Sequence, residues 1–232
     1  YGTPCQFDTS TSWVIHSPVE RIIKDKIERV GTPLKDWAIN IYRGILTGYN
    51  EAFIIDEDKR EELLSKCKTS DERERTVDLI RPILRGRDIK RYGYDWAGLY
   101  LIATHNGIPD NGLQRVDVNK YPTIKQHLHS YWEHIKGRSD QGDTPYHLRS
   151  CAYMEDFSKP KLMWAETMRI RKDNDERFPR FAYTEQHFFT DKTCFVALGE
   201  DLKFLLAMLN STLCRYQLSQ TAAILDNGGY LM

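Results

Sequence analysis

The 232 residues, 41% hydrophobic and 12% aromatic, hold enough apolar side chains for one sizeable core or two small ones, which excludes a disordered chain. The 33 Lys and Arg balance 33 Asp and Glu, so affinity for a phosphate backbone would have to come from a local gathering of cations and not from overall charge. No run of about eighteen apolar residues occurs, Tyr1-Gly2-Thr3-Pro4 opens no basic-then-apolar leader, and Cys5, Cys67, Cys151, Cys194 and Cys214 form no CxxC pair, so the expectation is a cytoplasmic chain with reduced thiols, no disulfide framework and no zinc finger.

The first periodic segment runs from Pro18 to Arg29. Val19, Ile22, Ile23 and Ile27 recur there at helical spacing, Ser17 supplies the N-cap and Gly31 the stop. Asp36 to Tyr42 alternates and is β-prone, Arg43 to Asn50 is a loop punctuated by Gly44 and Gly48, and Ala52 to Ile55 reads as a second strand. The charged stretch from Asp56 to Asp78 predicts solvated helices carrying i,i+4 pairs. Leu99 to Ala103 reads as a buried strand, and Tyr121-Pro122 opens a helix over 121–136 whose Ile124, Leu128, Tyr131, Trp132 and Ile135 form one apolar stripe. Short strands at Lys159 to Trp164, Arg180 to Thr184 and Lys192 to Leu198 predict a mainly antiparallel sheet. A helix over 200–225, almost uncharged from Phe204 to Cys214, should be deeply buried or packed on another domain. The final Asp226 to Met232 reads as a hairpin turn whose second strand is missing, so that the natural chain would continue past it. The expectation is an α+β fold in a single domain over 1–232, a twisted and mostly antiparallel sheet with flanking helices, in which 1–30 is a leading segment.

Catalytic patterns are absent from the sequence. It contains no glycine-rich phosphate loop, no HExxH, no GxSxG and no paired CxxC. His127 and His134 stand two turns apart on one helix, with His129 between them, a spacing too wide for simple chelation, so no metal site is expected. Asp88-Ile89-Lys90 and Glu155-Asp156 are too common to define a nuclease centre. The adenine-gripping loop of a methyltransferase is missing too, since Pro-Pro never occurs. No catalytic residue is assigned.

Three cationic segments remain. In Arg81 to Tyr92, the residues Arg81, Arg85, Arg87, Lys90 and Arg91 face one acid around Gly86 and can straddle phosphates, unless the segment is simply a solvated turn. Arg138 to Arg149 offers Arg138, Gln141 and Arg149 as base-edge partners on a turn, with an ordinary polar loop as the alternative. In Met168 to Asn174, strand alternation would point Arg169 and Arg171 to one side, into a groove or along a charge-protected hairpin edge.

Taken in order, Gly44-Ile45-Leu46-Thr47-Gly48-Tyr49-Asn50-Glu51-Ala52-Phe53-Ile54-Ile55, Leu84-Arg85-Gly86-Arg87-Asp88-Ile89, Tyr121-Pro122, Leu148-Arg149, Lys159-Pro160-Lys161 and Leu205-Leu206-Ala207-Met208-Leu209-Asn210-Ser211 resemble the TaqI-like C-terminal specificity domain over roughly 30–230. The resemblance implies a module that holds double-stranded DNA and reads a short sequence. In that family an adenine-N6 methyltransferase domain on the same chain flips the base and uses S-adenosylmethionine, with a magnesium-dependent nuclease in some members. This chain would then hold no cofactor and catalyse nothing itself. The resemblance leaves the reading residues open, so they are assigned physically. Arg85, Arg87, Lys90 and Arg91, with Thr47, Tyr49 and Asn50 after the glycine loop, are the phosphate-contact candidates, and Arg138, Gln141, Arg149, Arg169 and Arg171 the base readers. The competing readings are a metal-dependent nuclease domain and a protein-interaction module using the apolar C-terminal helix.

Overall fold

The computed structural model describes residues 17–169, 178–225 and 229–232. The chain divides into two units, Tyr1–Ile39 and Asn40–Met232. In the first, α1 (Pro18–Val30) begins at a reciprocal cap: Ser17 N donates to Glu20 Oε2 at 2.7 Å and Glu20 N to Ser17 Oγ at 3.3 Å. Gly31 ends it by donating its N–H to Ile27 O at 2.8 Å.

The second unit is α+β, as expected. In chain order it contains β1 (Ile39–Arg43), α2 (Asn50–Phe53), β2 (Ile54–Asp56), α3 (Glu57–Ser65), α4 (Ser70–Leu79), β3 (Ile80–Leu84), β4 (Leu99–Ile102), α5 (Pro122–Ser130) and α6 (Trp132–Ile135). Then come β5 (Lys161–Ala165), β6 (Thr167–Arg169), β7 (Phe181–Thr184), β8 (Phe189–Thr190), β9 (Cys194–Gly199), α7 (Leu202–Leu209), α8 (Thr212–Thr221), β10 (Ala223–Ile224) and β11 (Gly229–Leu231).

The strands form three sheets instead of one, ordered β1-β9-β5-β7, β2-β4-β3-β8 and β10-β11-β6. β2 and β3 each pair antiparallel with β4, β7 and β9 with β5, and β6 and β10 with β11, while Ile83 and Leu84 run parallel to Phe189 and Thr190. From Thr190 the chain turns directly into β9 of the other four-stranded sheet, which joins the two larger sheets there. Ile83, Leu84, Ile102, Leu128, Phe157 and Met163 lie in one apolar core, so the loops at this junction are set on a rigid base.

Four expectations change in detail. Ala52 to Ile55 is not one strand, because Ala52 and Phe53 are both fully buried, which adjacent strand residues on a one-sided sheet cannot be. A helical turn, α2, solves this, and β2 starts at Ile54. The helix over 121–136 breaks at Tyr131 into α5 and α6. Buried Glu72 of α4 caps its start, accepting Thr123 N at 3.1 Å and Thr123 Oγ1 at 2.8 Å. The C-terminal helix is two, α7 and α8, with Phe204, Met208 and Leu213 exposed; α7 buries Leu202 and Leu205, and α8 buries no residue fully. The hairpin strand expected to be missing is β11, which pairs with both β10 and β6.

Candidate nucleic-acid interface

The glycine loop between β1 and α2 is moulded to its surroundings. A Cβ on Gly44 would lie 1.9 Å from Asp191 O, so only glycine fits. Gly44 N donates to Cys194 O at 2.9 Å and Ile45 N to Thr190 O at 2.7 Å. Gly48 has φ +70°, a region where glycine alone is unstrained, and a Cβ there would meet Asp140 O and the Arg138 Cδ at 3.1 Å. Beside it, buried Thr47 donates its Oγ1–H to Asn50 Oδ1 at 2.5 Å. Tyr49 stacks on His134 at 4.8 Å, and Asn50 is exposed.

Arg138 departs from its predicted role as a base reader. It is 8% exposed, and its guanidinium donates to four carbonyls: Thr47 O, Asp140 O at 2.9 Å, Pro145 O at 3.0 Å and His147 O. It lies 4.3 Å from the Phe53 ring centroid. Burial lowers its pKa to about 10, which leaves it charged at neutral pH. Its neighbours Gln141 and Arg149 are exposed, and Arg149 pairs with Asp140 Oδ1 at 3.0 Å. His147 braces the same loop, with Nε2 2.8 Å from Val116 O and Nδ1 2.7 Å from Thr144 Oγ1, and burial lowers its pKa.

The segment after β3 also sorts its cations. Arg85 Nε and Nη2 reach the Asp88 carboxylate at 3.0 and 2.9 Å, so this guanidinium shapes the loop and is not a free phosphate donor. Arg91 Nη2 donates to Asn210 O at 2.6 Å, which ties it to the end of α7. Lys90 Nζ donates to Arg87 O at 3.3 Å and lies 4.0 Å from Asp95. Arg87 is exposed, with no ion pair among the described residues. Tyr92 is 52% exposed at φ +69°, a strained conformation held by its N–H donating to Phe181 O at 2.8 Å. Of the third segment, β6 pairs Arg169 with Gly229, and Arg171 lies outside the described residues.

Contacts through Arg43 join Tyr153 to the loop that carries Arg87. The Tyr153 hydroxyl donates to Arg43 O at 3.0 Å, and its ring stacks on Tyr42 at 4.2 Å. Arg43 Nε then donates to Lys192 O at 3.0 Å while its Nη2 pairs with Glu166 at 2.9 Å. The adjoining Thr193 Oγ1 accepts from Gly86 N at 3.0 Å, beside Arg87. Gly86 is needed at that point, since a Cβ would meet Thr193 Oγ1 at 3.0 Å and the Ala165 Cβ at 3.1 Å.

The family model described as the TaqI-like C-terminal specificity domain matches residues 81–227, well over half of the chain. The chain belongs to this family. A search of curated proteins found no match. Among solved structures, the specificity domain is similar to a chain in a study titled "Structure of Type IIL restriction-modification enzyme MmeI in complex with DNA has implications for engineering of new specificities". The TM-score is 0.59 and the identity 11%, and the alignment covers 83% of this chain. It covers 23% of that chain. At this identity the likeness establishes a shared fold.

In this specificity domain, then, the structure leaves Arg87, Gln141, Arg149 and Asn50 exposed, buries Thr47 in the glycine loop, and commits Arg85, Arg91 and Arg138 to holding loops. Sequence reading missed Arg43, Lys192 and Tyr153, which lie far apart in the chain. The one signal for them was position, because Arg43 directly precedes Gly44 and Lys192 opens a strand pattern.

Proposed function

We propose that this specificity domain binds double-stranded DNA and reads a short sequence for a restriction-modification enzyme. The observation that carries the reading is a set of exposed polar and cationic side chains, Arg87, Gln141, Arg149 and Lys192, on loops moulded around Gly44, Gly48 and Gly86. Arg87 and Lys192, exposed and without a carboxylate partner among the described residues, suit phosphates, while Gln141 and Arg149 carry the geometry for base edges. The DNA named with the similar structure supports the same reading.

The parent protein, in this reading, is a cytoplasmic site-specific adenine-N6 methyltransferase, with or without a nuclease. Its methyltransferase domain would bind S-adenosylmethionine and flip the target base, with magnesium serving any nuclease. In this reading neither group is held by this chain. The sequence holds no glycine-rich cofactor loop, and among the described residues no three His, Cys, Asp or Glu side chains could share a metal ion. Nor is any described helix long and apolar enough to cross a membrane.

The test is binding to a fluorescent duplex across a salt series. A log–log fall of affinity with salt that corresponds to several released counterions is expected. A nearly flat response would reject the reading, and cleavage of plasmid by the isolated chain with magnesium would replace it with a nuclease.

A further inference from the structure

We propose that Arg138 is a positioning residue for sequence discrimination, fixing the spacing between the two loops that present the exposed polar side chains. The inference rests on the DNA-reading function proposed above and names the device that would make that reading accurate.

The guanidinium bridges two segments remote in sequence. Thr47 O belongs to the glycine loop, whereas Asp140 O, Pro145 O and His147 O belong to the loop after α6. Carbonyls shielded from water without donors are costly, and one planar cation reaches all four here, His147 O accepting also from Gly142 N at 3.1 Å. The same loops carry Asn50 on one side and Gln141 and Arg149 on the other. Asp140 links the buried and exposed layers, because its carbonyl accepts from Arg138 and its carboxylate holds Arg149 at 3.0 Å. Gly48 completes the fit, its bare Cα letting the Arg138 stem pass where a Cβ would stand 3.1 Å from Cδ. The Phe53 ring beneath the guanidinium anchors it to the fully buried base of α2.

An arginine that merely met phosphate would contribute affinity and one counterion. A buried arginine that sets loop spacing should contribute selectivity, because base-edge hydrogen bonds tolerate little displacement.

The test uses the full-length protein as wild type, Arg138→Met, Arg138→Lys and Gly48→Ala, each offered a pool of randomised duplexes. Affinities for the selected duplex and its single-base-pair variants are then measured across a salt series, with hydrogen exchange followed over 44–50 and 140–149. Arg138→Met should lose roughly tenfold in discrimination at each base pair that these loops read, with faster exchange in both loops and an unchanged salt slope. Gly48→Ala should weaken discrimination at the same base pairs, and Arg138→Lys, which keeps charge but not the planar fork, should recover part of it. Wild-type discrimination in a folded Arg138→Met protein overturns the proposal, as does a salt slope lowered by about one counterion with discrimination intact. If Arg138→Met does not fold, unchanged discrimination in both Arg138→Lys and Gly48→Ala overturns it. A wild-type protein that enriches no sequence overturns the DNA-reading function, and this proposal with it. Wild-type enrichment with unaffected variants overturns this proposal alone.

Discussion

The Asp88 carboxylate is 5% exposed and takes the Arg85 guanidinium through two hydrogen bonds, whereas Arg87, two positions on, is exposed. Composition presents them as equivalent cations, yet a buried acid three residues after Arg85 separates their roles. Arg85→Ala would strand a buried carboxylate and is expected to cost about 2–3 kcal/mol in urea unfolding, below the range for a fully buried pair because Arg85 is partly solvated. Arg87→Ala should leave stability within about 0.5 kcal/mol and lower the salt slope of DNA binding by about one counterion. Lys161, at the start of β5, is a second such residue. Its ammonium is buried and donates to Phe157 O at 2.7 Å, Lys159 O at 3.2 Å and Gln186 O at 3.1 Å. Burial lowers its pKa from 10.5 to about 8. Between those values the unfolded chain binds the extra proton, so stability rises with pH across that window. Below about pH 8 the full penalty is present, and above about 10.5 it is gone. The difference in unfolding free energy between wild type and Lys161→Met should therefore change by on the order of 3 kcal/mol between pH 7.5 and 10.5. A pH-independent difference would show that folding leaves the Lys161 ammonium at its ordinary pKa.

At the scale of elements, the sequence shows which stretches are helical or extended but not where tertiary contacts cut them. Periodicity located α1, α5 and β4 because one apolar face dictates each pattern. It could not see the break between α7 and α8, which is made by a partner distant in the chain. Asn210 is 1% exposed and serves as a strand partner for edge strand β7, with its Nδ2 donating to Phe181 O at 2.9 Å and its Oδ1 accepting Phe181 N at 3.1 Å. Its own carbonyl accepts from Arg91. A side-chain amide thus covers part of a sheet edge that would otherwise be open to pairing with another chain. Asn210→Leu leaves the Phe181 N–H buried and unmatched and takes one of two donors from Phe181 O, which keeps the Tyr92 N–H, with an expected loss of about 1–3 kcal/mol in denaturant unfolding. Asn210→Asp keeps the acceptor alone and should fall between. A loss below about 0.5 kcal/mol for Asn210→Leu would mean that water replaces the amide without cost.

For the whole molecule, a formal net charge of zero and a nucleic-acid partner are compatible only if folding segregates the charges. Carboxylates at Asp88, Asp140 and Glu166 each face an arginine, so the cations left over for DNA are fewer than a sequence count suggests. Arg43 and Lys192 lie 149 positions apart, which is why no sequence window could pair them. They meet because β1 and β9 are neighbours in one sheet. This arrangement fixes what their removal should do. Arg43 already shares its charge with Glu166, so Arg43→Ala frees a carboxylate as well as removing a cation, and it should weaken DNA binding more than Lys192→Ala does. Together the two changes should reduce the salt slope by about two counterions while leaving the selected sequence unchanged, since neither side chain lies on the loop that carries Gln141 and Arg149. Affinity titrations of the selected and a scrambled duplex at several salt concentrations check this. Equal weakening on both duplexes would place Arg43 and Lys192 on the backbone, whereas loss confined to the selected duplex would move them among the base readers.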